Sequence, residues 1–122
     1  MKTNEATVQA QVRLNASGAG WRLWRNNVGA LLDSRGVPIR YGLANDSSVV
    51  NRQIKSADLI GIRPVLITQD MVGKIIGQFV SRECKEGGWK PSPTDKREWA
   101  QRNWAQIVNE LGGDAKFSTG EL

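Results

Sequence analysis

The hydrophobic and polar positions divide the chain into two helical stretches separated by β-rich and polar segments. Asn4 can cap a first helix, in which Ala6, Val8, Val12 and Ala16 recur at mostly helical spacing until Ser17-Gly18-Ala19-Gly20 breaks it. Trp21 to Asn26 alternates imperfectly, as a short strand does, and Asp33-Ser34-Arg35-Gly36 reads as a turn into Val37-Pro38-Ile39-Arg40-Tyr41, where Pro38 favours an edge. Leu43 to Lys55 is polar and predicts a loop. Asp58 to Ile62 is β-rich, Val65 to Thr68 can extend it, Gln69 to Gly73 turns, and Lys74 to Lys85 predicts a returning strand. The Gly and Pro residues of Glu86 to Thr94 predict a loop. After it, Ser92 or Asp95 can cap a second helix with an apolar stripe at Ala100, Trp104, Ile107, Val108 and Leu111, stopped by Gly112-Gly113. Ala115 to Phe117 predicts a last strand. The expected order is α-β-β-β-α-β: an α/β fold with a mixed sheet flanked by helices, in one domain over residues 1–122.

Composition narrows the chemistry this frame can carry. The 122 residues contain no histidine, which removes imidazole bases, nucleophiles and metal ligands together. The single cysteine, Cys84, rules out an intramolecular disulfide and a thiolate zinc cluster, and is expected to be a buried small residue. Hydrolysis must then rest on carboxylates, lysine and a hard metal ion. Seventeen Lys and Arg against 12 Asp and Glu give a net charge of +5, which points to an anionic partner, nucleic acid first. The basic residues are spread along the chain, so a basic face on a folded domain is expected. No apolar run approaches the ~18 residues of a membrane span, so a cytoplasmic protein without membrane contact is expected.

One cluster fits those limits. Residues two apart on a strand share a face, so Glu83 and Lys85 project together and Cys84 points away. Hairpin pairing of Asp58–Ile67 with Lys74–Lys85 would set Asp58 opposite the Glu83 end. Two nearby carboxylates repel unless a cation lies between them, and oxygen ligands suit magnesium. Such an ion activates water for phosphodiester hydrolysis, with Lys85 orienting the water or stabilising charge. A hairpin salt bridge is the plainer account of the same residues.

Asn4-Glu5-Ala6, Trp24-Arg25-Asn26-Asn27-Val28-Gly29, Gly42-Leu43, Ser56-Ala57-Asp58-Leu59-Ile60-Gly61, Glu83-Cys84-Lys85 and Gln101-x-x-Trp104 before Gly112-Gly113 follow one another in order. Together they resemble the virus-type replication-repair nuclease domain, VRR-NUC, of the PD-(D/E)XK superfamily. The resemblance implies a restriction-endonuclease-like core. It also implies Asp58, Glu83, Glu5 and the Cys84 backbone carbonyl as ligands of Mg²⁺, with Mn²⁺ able to substitute. Lys85 would be the catalytic lysine and Gln101 the supporting glutamine. Ser56-Ala57 stands where the superfamily name has proline, and Asp46 to Lys55 is longer than the usual approach.

Stand-alone domains of this kind suggest a homodimeric, structure-selective endonuclease acting on branched DNA such as Holliday junctions, in the host cytoplasm if phage-encoded. Arg25, Asn26, Arg52, Lys55, Trp89 and Lys90 are the expected DNA contacts, Trp89 by stacking on a base or wedging a junction, unless it only anchors its loop. Further candidates for phosphate contact are Arg22, Arg40, Lys96, Arg97 and Arg102. Core packing is the expected role of Trp21, Trp24 and Trp104. A catalytically silent nucleic-acid-binding domain and a small restriction-like nuclease on duplex DNA are the alternatives.

Overall fold

In the computed structural model, which describes residues 4–122, Asn4 caps the first helix as its position predicts. Its side-chain oxygen accepts the Thr7 amide at 2.8 Å, satisfying a donor that the first turn leaves without a helical partner. Helix α1 runs over Glu5–Gly18 with Glu5 in that first turn. It packs against strand β1, Arg22–Arg25. Of the predicted apolar stripe only Ala16 is buried; Val8 and Val12 stay exposed.

Strands β2 (Gly29–Leu32) and β3 (Pro38–Tyr41) form an antiparallel hairpin, with Gly29 opposite Tyr41 and Leu32 opposite Pro38. The Asp33 carboxylate accepts the Arg35 and Val37 amides, each at 2.8 Å. The hairpin is braced by Asn45, only 2% exposed, whose amide nitrogen donates to the Gly29 and Tyr41 carbonyls. The Arg40 guanidinium donates to the Asn45 side-chain oxygen at 2.6 Å. Next comes a short helix α2, Ser48–Gln53, capped by Ser47, in the stretch predicted to be a loop.

Strand β4, Leu59–Ile62, pairs with β1. The Asn26 amide donates to the Asp58 carbonyl at 2.8 Å, while Gly61 lies against Arg22 and Leu23, so the two strands run in opposite directions. A Cβ at Gly61 would stand 1.8 Å from the Arg22 carbonyl oxygen, so only glycine permits this approach.

Beyond β4 the chain carries a 3₁₀ turn at Gln69–Met71, strand β5 (Val80–Cys84), helix α3 (Lys96–Glu110) and strand β6 (Asp114–Ser118). Strands β5 and β6 are parallel, with Glu83 opposite Phe117 and Cys84 opposite Ser118. Parallel neighbours need a long crossover, and α3 supplies it. Asp95 caps α3 by accepting the Glu98 amide at 2.9 Å. The helix centres on Val108, which is fully buried. The Asn109 side chain bonds both the amide and the carbonyl of Ala115, fixing the turn into β6.

The architecture is mixed α/β, with the described strands paired two by two. The expected hairpin of Asp58–Ile67 with Lys74–Lys85 does not form: β4 takes β1 as its partner and β5 takes β6. Pro64 lacks a donor for a ladder, and Gly73 and Gly77 interrupt the predicted return, leaving Val80–Cys84 as the strand. The chain divides into two compact units, Met1–Gly61 and Ile62–Leu122. Among the described residues no helix is long and apolar enough to cross a membrane.

Candidate active site

In the second unit, strand alternation puts Ser81 and Glu83 on the face that α3 covers, and Lys85 continues it beyond the strand end. The Lys85 backbone amide donates to the Ser118 carbonyl at 2.8 Å, holding this end of the chain to β6. From α3, the Trp104 indole donates to the Ser81 hydroxyl at 2.8 Å. One turn earlier, the Gln101 amide nitrogen donates to Glu83 Oε1 at 2.7 Å. Its oxygen accepts from Lys85 Nζ at 2.8 Å.

Gln101 thus uses both ends of its amide, and only this orientation of the group satisfies a carboxylate and an ammonium together. Lys85 and Glu83 themselves stand 4.0 Å apart. The lysine side chain is 19% exposed and the glutamate 42%. Glu83 Oε2 makes no hydrogen bond to a described residue, which leaves one carboxylate oxygen available.

Two aromatic rings flank the lysine. Trp89, in the loop after β5, stacks on Phe117 of β6 with ring centroids 5.0 Å apart. Lys85 Nζ lies 5.8 Å from the Trp89 ring centre and 5.7 Å from that of Phe117. These distances suit a cation held over aromatic faces. One face of Trp89 is therefore occupied by Phe117, so the ring anchors its loop. Phe117 escaped notice in the sequence because nothing there reveals its register opposite Glu83. The Cys84 thiol, expected to be buried, is exposed: it lies on the β5 face opposite Glu83, which α3 leaves uncovered.

In the first unit, Glu5 borders a hollow of about 460 Å³ together with Gln9, Arg13 and Arg25. Asp58 borders another of about 500 Å³, which also includes Gln9 and Arg25. The two carboxylates thus share two neighbours. Gln9 lies one helical turn after Glu5, a spacing that could have marked it in the sequence. Asn26, expected as a DNA contact, turns its side chain inward. Its amide nitrogen donates to the Ser56 hydroxyl at 2.7 Å and to the Ala57 carbonyl at 2.9 Å. Asn26 therefore shapes the approach to Asp58.

The other expected DNA contacts differ in how they are held. Arg25, Arg52 and Lys90 are exposed. Lys55, also exposed, donates to the Asn51 side chain at 2.7 Å. Arg40 and Arg102 are engaged internally, by Asn45 and by Glu98 at 2.7 Å. Trp21 and Trp24 are half-buried, whereas Trp104, expected in the core, is 36% exposed and meets Phe79 edge to face at 6.3 Å.

The donors are hard oxygens, as magnesium prefers, with no histidine in the chain. Among the described residues no group of three or more Asp, Glu, Cys or His side chains forms a ready-made metal site. No protein-family model, curated protein or solved structure matches the chain.

Proposed function

We propose that the chain is a magnesium-dependent DNA endonuclease of the VRR-NUC type. In this reading it is built on a restriction-endonuclease-like core and hydrolyses phosphodiester bonds in branched DNA such as four-way junctions. The observation that carries the reading is the Gln101 amide, which ties Glu83 to Lys85. An acid and a base held at fixed spacing by a third group form a preorganised pair, and a plain surface ion pair needs no such bridge.

Glu83 offers its free oxygen to the metal. The resemblance implies Asp58, Glu5 and the Cys84 carbonyl as further ligands, with Mn²⁺ able to substitute for Mg²⁺. When bound, the ion supplies Lewis acidity and lowers the pKa of water. The remaining work belongs to side chains. An ammonium has three N–H donors; Lys85 donates one of them to Gln101 Oε1, leaving two to orient the attacking water or to bond a phosphoryl oxygen. Arg25, Arg52, Lys55 and Lys90 supply phosphate contacts.

A homodimer suits a two-fold substrate. Its support is an apolar run left in water: Leu66 is 84% exposed, Val72 72% and Ile75 99%. Apolar side chains left this exposed within one stretch of chain are the kind a partner covers.

The test is incubation with four-way junction and linear duplex DNA in Mg²⁺. Junction nicking that disappears on chelation and in Glu83→Ala is expected. Cleavage that survives Glu83→Ala, or the absence of any divalent-dependent product, sinks the enzyme reading. In the latter case, salt-sensitive DNA affinity unchanged by Lys85→Ala would identify a silent binding domain.

A further inference from the structure

Beside the Glu83, Gln101 and Lys85 chain, α3 does not close fully on β5 and β6. A cleft of about 410 Å³ stays open between them. Its room comes from small side chains: Ala100 and Ala105 of α3 and Ala115 of β6 line it. Protein interiors pack densely, so larger residues at these positions would fill the space. Trp104 and Phe117 add aromatic surface. Arg97 of α3 also borders the cleft and makes no hydrogen bond or salt bridge to a described residue; Lys116, opposite Arg82, projects from the other face of β6.

An apolar, partly aromatic slot bordered by a cation without a salt-bridge partner matches a flat heterocycle that carries a phosphate. We infer that this cleft takes one unpaired nucleotide of a DNA strand, its base against Trp104 and Phe117 and its phosphate on Arg97. Base stacking on aromatic side chains tolerates any sequence, and a cation at the mouth holds the backbone. The inference rests on the nuclease reading for the choice of DNA as ligand. It adds a selection rule: Glu83 and Gln101 border the same cleft, so the preferred cleavage position lies next to a base already out of its stack. Removing a base from an intact duplex costs a few kcal/mol, and least at branch points and mismatches.

Binding is measured on the full chain in EDTA, where cleavage is silent. The probes are a fluorescent single-stranded tetradeoxynucleotide and the same backbone made abasic. The intact strand should bind about tenfold more tightly, within the range for one stacked base. Ala100→Leu should remove that difference and leave affinity for the abasic strand unchanged. Ala105→Leu serves as a second filling variant, with unchanged melting temperature as the folding control for both. Arg97→Ala should weaken binding of both strands and reduce its salt dependence. Equal affinity for the intact and abasic strands overturns the inference. So does a base-dependent difference that persists in both folded leucine variants.

The nuclease reading fails separately. Base-dependent binding without Mg²⁺-dependent cleavage leaves the cleft standing and removes the hydrolysis. Glu83-dependent cleavage with equal affinity for both strands does the reverse.

Discussion

Gln101 sets what Glu83 and Lys85 can do, because each gives it one hydrogen bond partner and neither can shift without breaking that bond. If the proposed nuclease reading holds, Gln101→Leu should lower kcat about 10- to 100-fold, the usual cost of losing a group that orients a reactive one. KM for junction DNA should change little, and single-turnover kinetics check the split. The pair itself was legible, since strand alternation puts Glu83 and Lys85 on one face. Its bridge was reached only through the resemblance, which implies Gln101 as the supporting glutamine; the path of the loop from Lys85 to Gln101 follows no local pattern.

A second residue-scale expectation concerns acid stability. Arg82, which also donates to the Leu122 carbonyl, forms a 2.8 Å ion pair with Asp114 across β5 and β6. The Arg82 hydrogen bond holds the Asp114 carboxyl below its ordinary value of 3.8. A depressed folded-state pKa stabilises the fold above the unfolded value, and that stability is lost as pH falls through the folded one. Urea midpoints measured from pH 7 down to about pH 2 should therefore decline less steeply in Asp114→Asn. The variant should also start lower at neutral pH.

At the scale of elements, helix ends were the most legible features. Asn4 and Asp95 cap where short polar side chains precede periodic apolar positions. In α3 the cap extends to Glu98, which is 4% exposed and whose carboxylate accepts the Ser92 amide and an Arg102 N–H, each at 2.7 Å. Glu98→Ala should cost about 2 kcal/mol, because hydrogen bonds to a charged group are among the stronger ones and Ser92 is left without its acceptor. Urea unfolding measures this loss. Gly61→Ala should be more disruptive, since its methyl would collide with the β1 backbone; loss of β signal in circular dichroism at room temperature checks it. Strand β2 and helix α2 were not legible. Gly29-Ala30-Leu31-Leu32 lacks alternation because three of its four residues are exposed. The six residues of α2 are too few for a helical period to declare itself.

At the scale of the whole molecule, two expectations follow from the proposed dimer and metal. Light scattering should give twice the 13.5 kDa chain mass, and Leu66→Glu with Ile75→Glu should return the monomer if the exposed apolar run is the contact. Magnesium should raise the melting temperature of the wild type by binding the folded state, and Asp58→Ala should abolish the rise.

The sequence by itself determined the helix caps, the mixed α/β content, the exclusion of imidazole chemistry and the shared face of Glu83 and Lys85. Each of these depends on residue type or on spacing within a few positions. Tertiary structure alone decided the partners of β4 and β5, the geometry of the Gln101 bridge, the Trp89 and Phe117 stack, and the cleft left by three alanines. Those features join residues far apart in the chain, and their geometry follows from crossover and packing, which local periodicity does not encode.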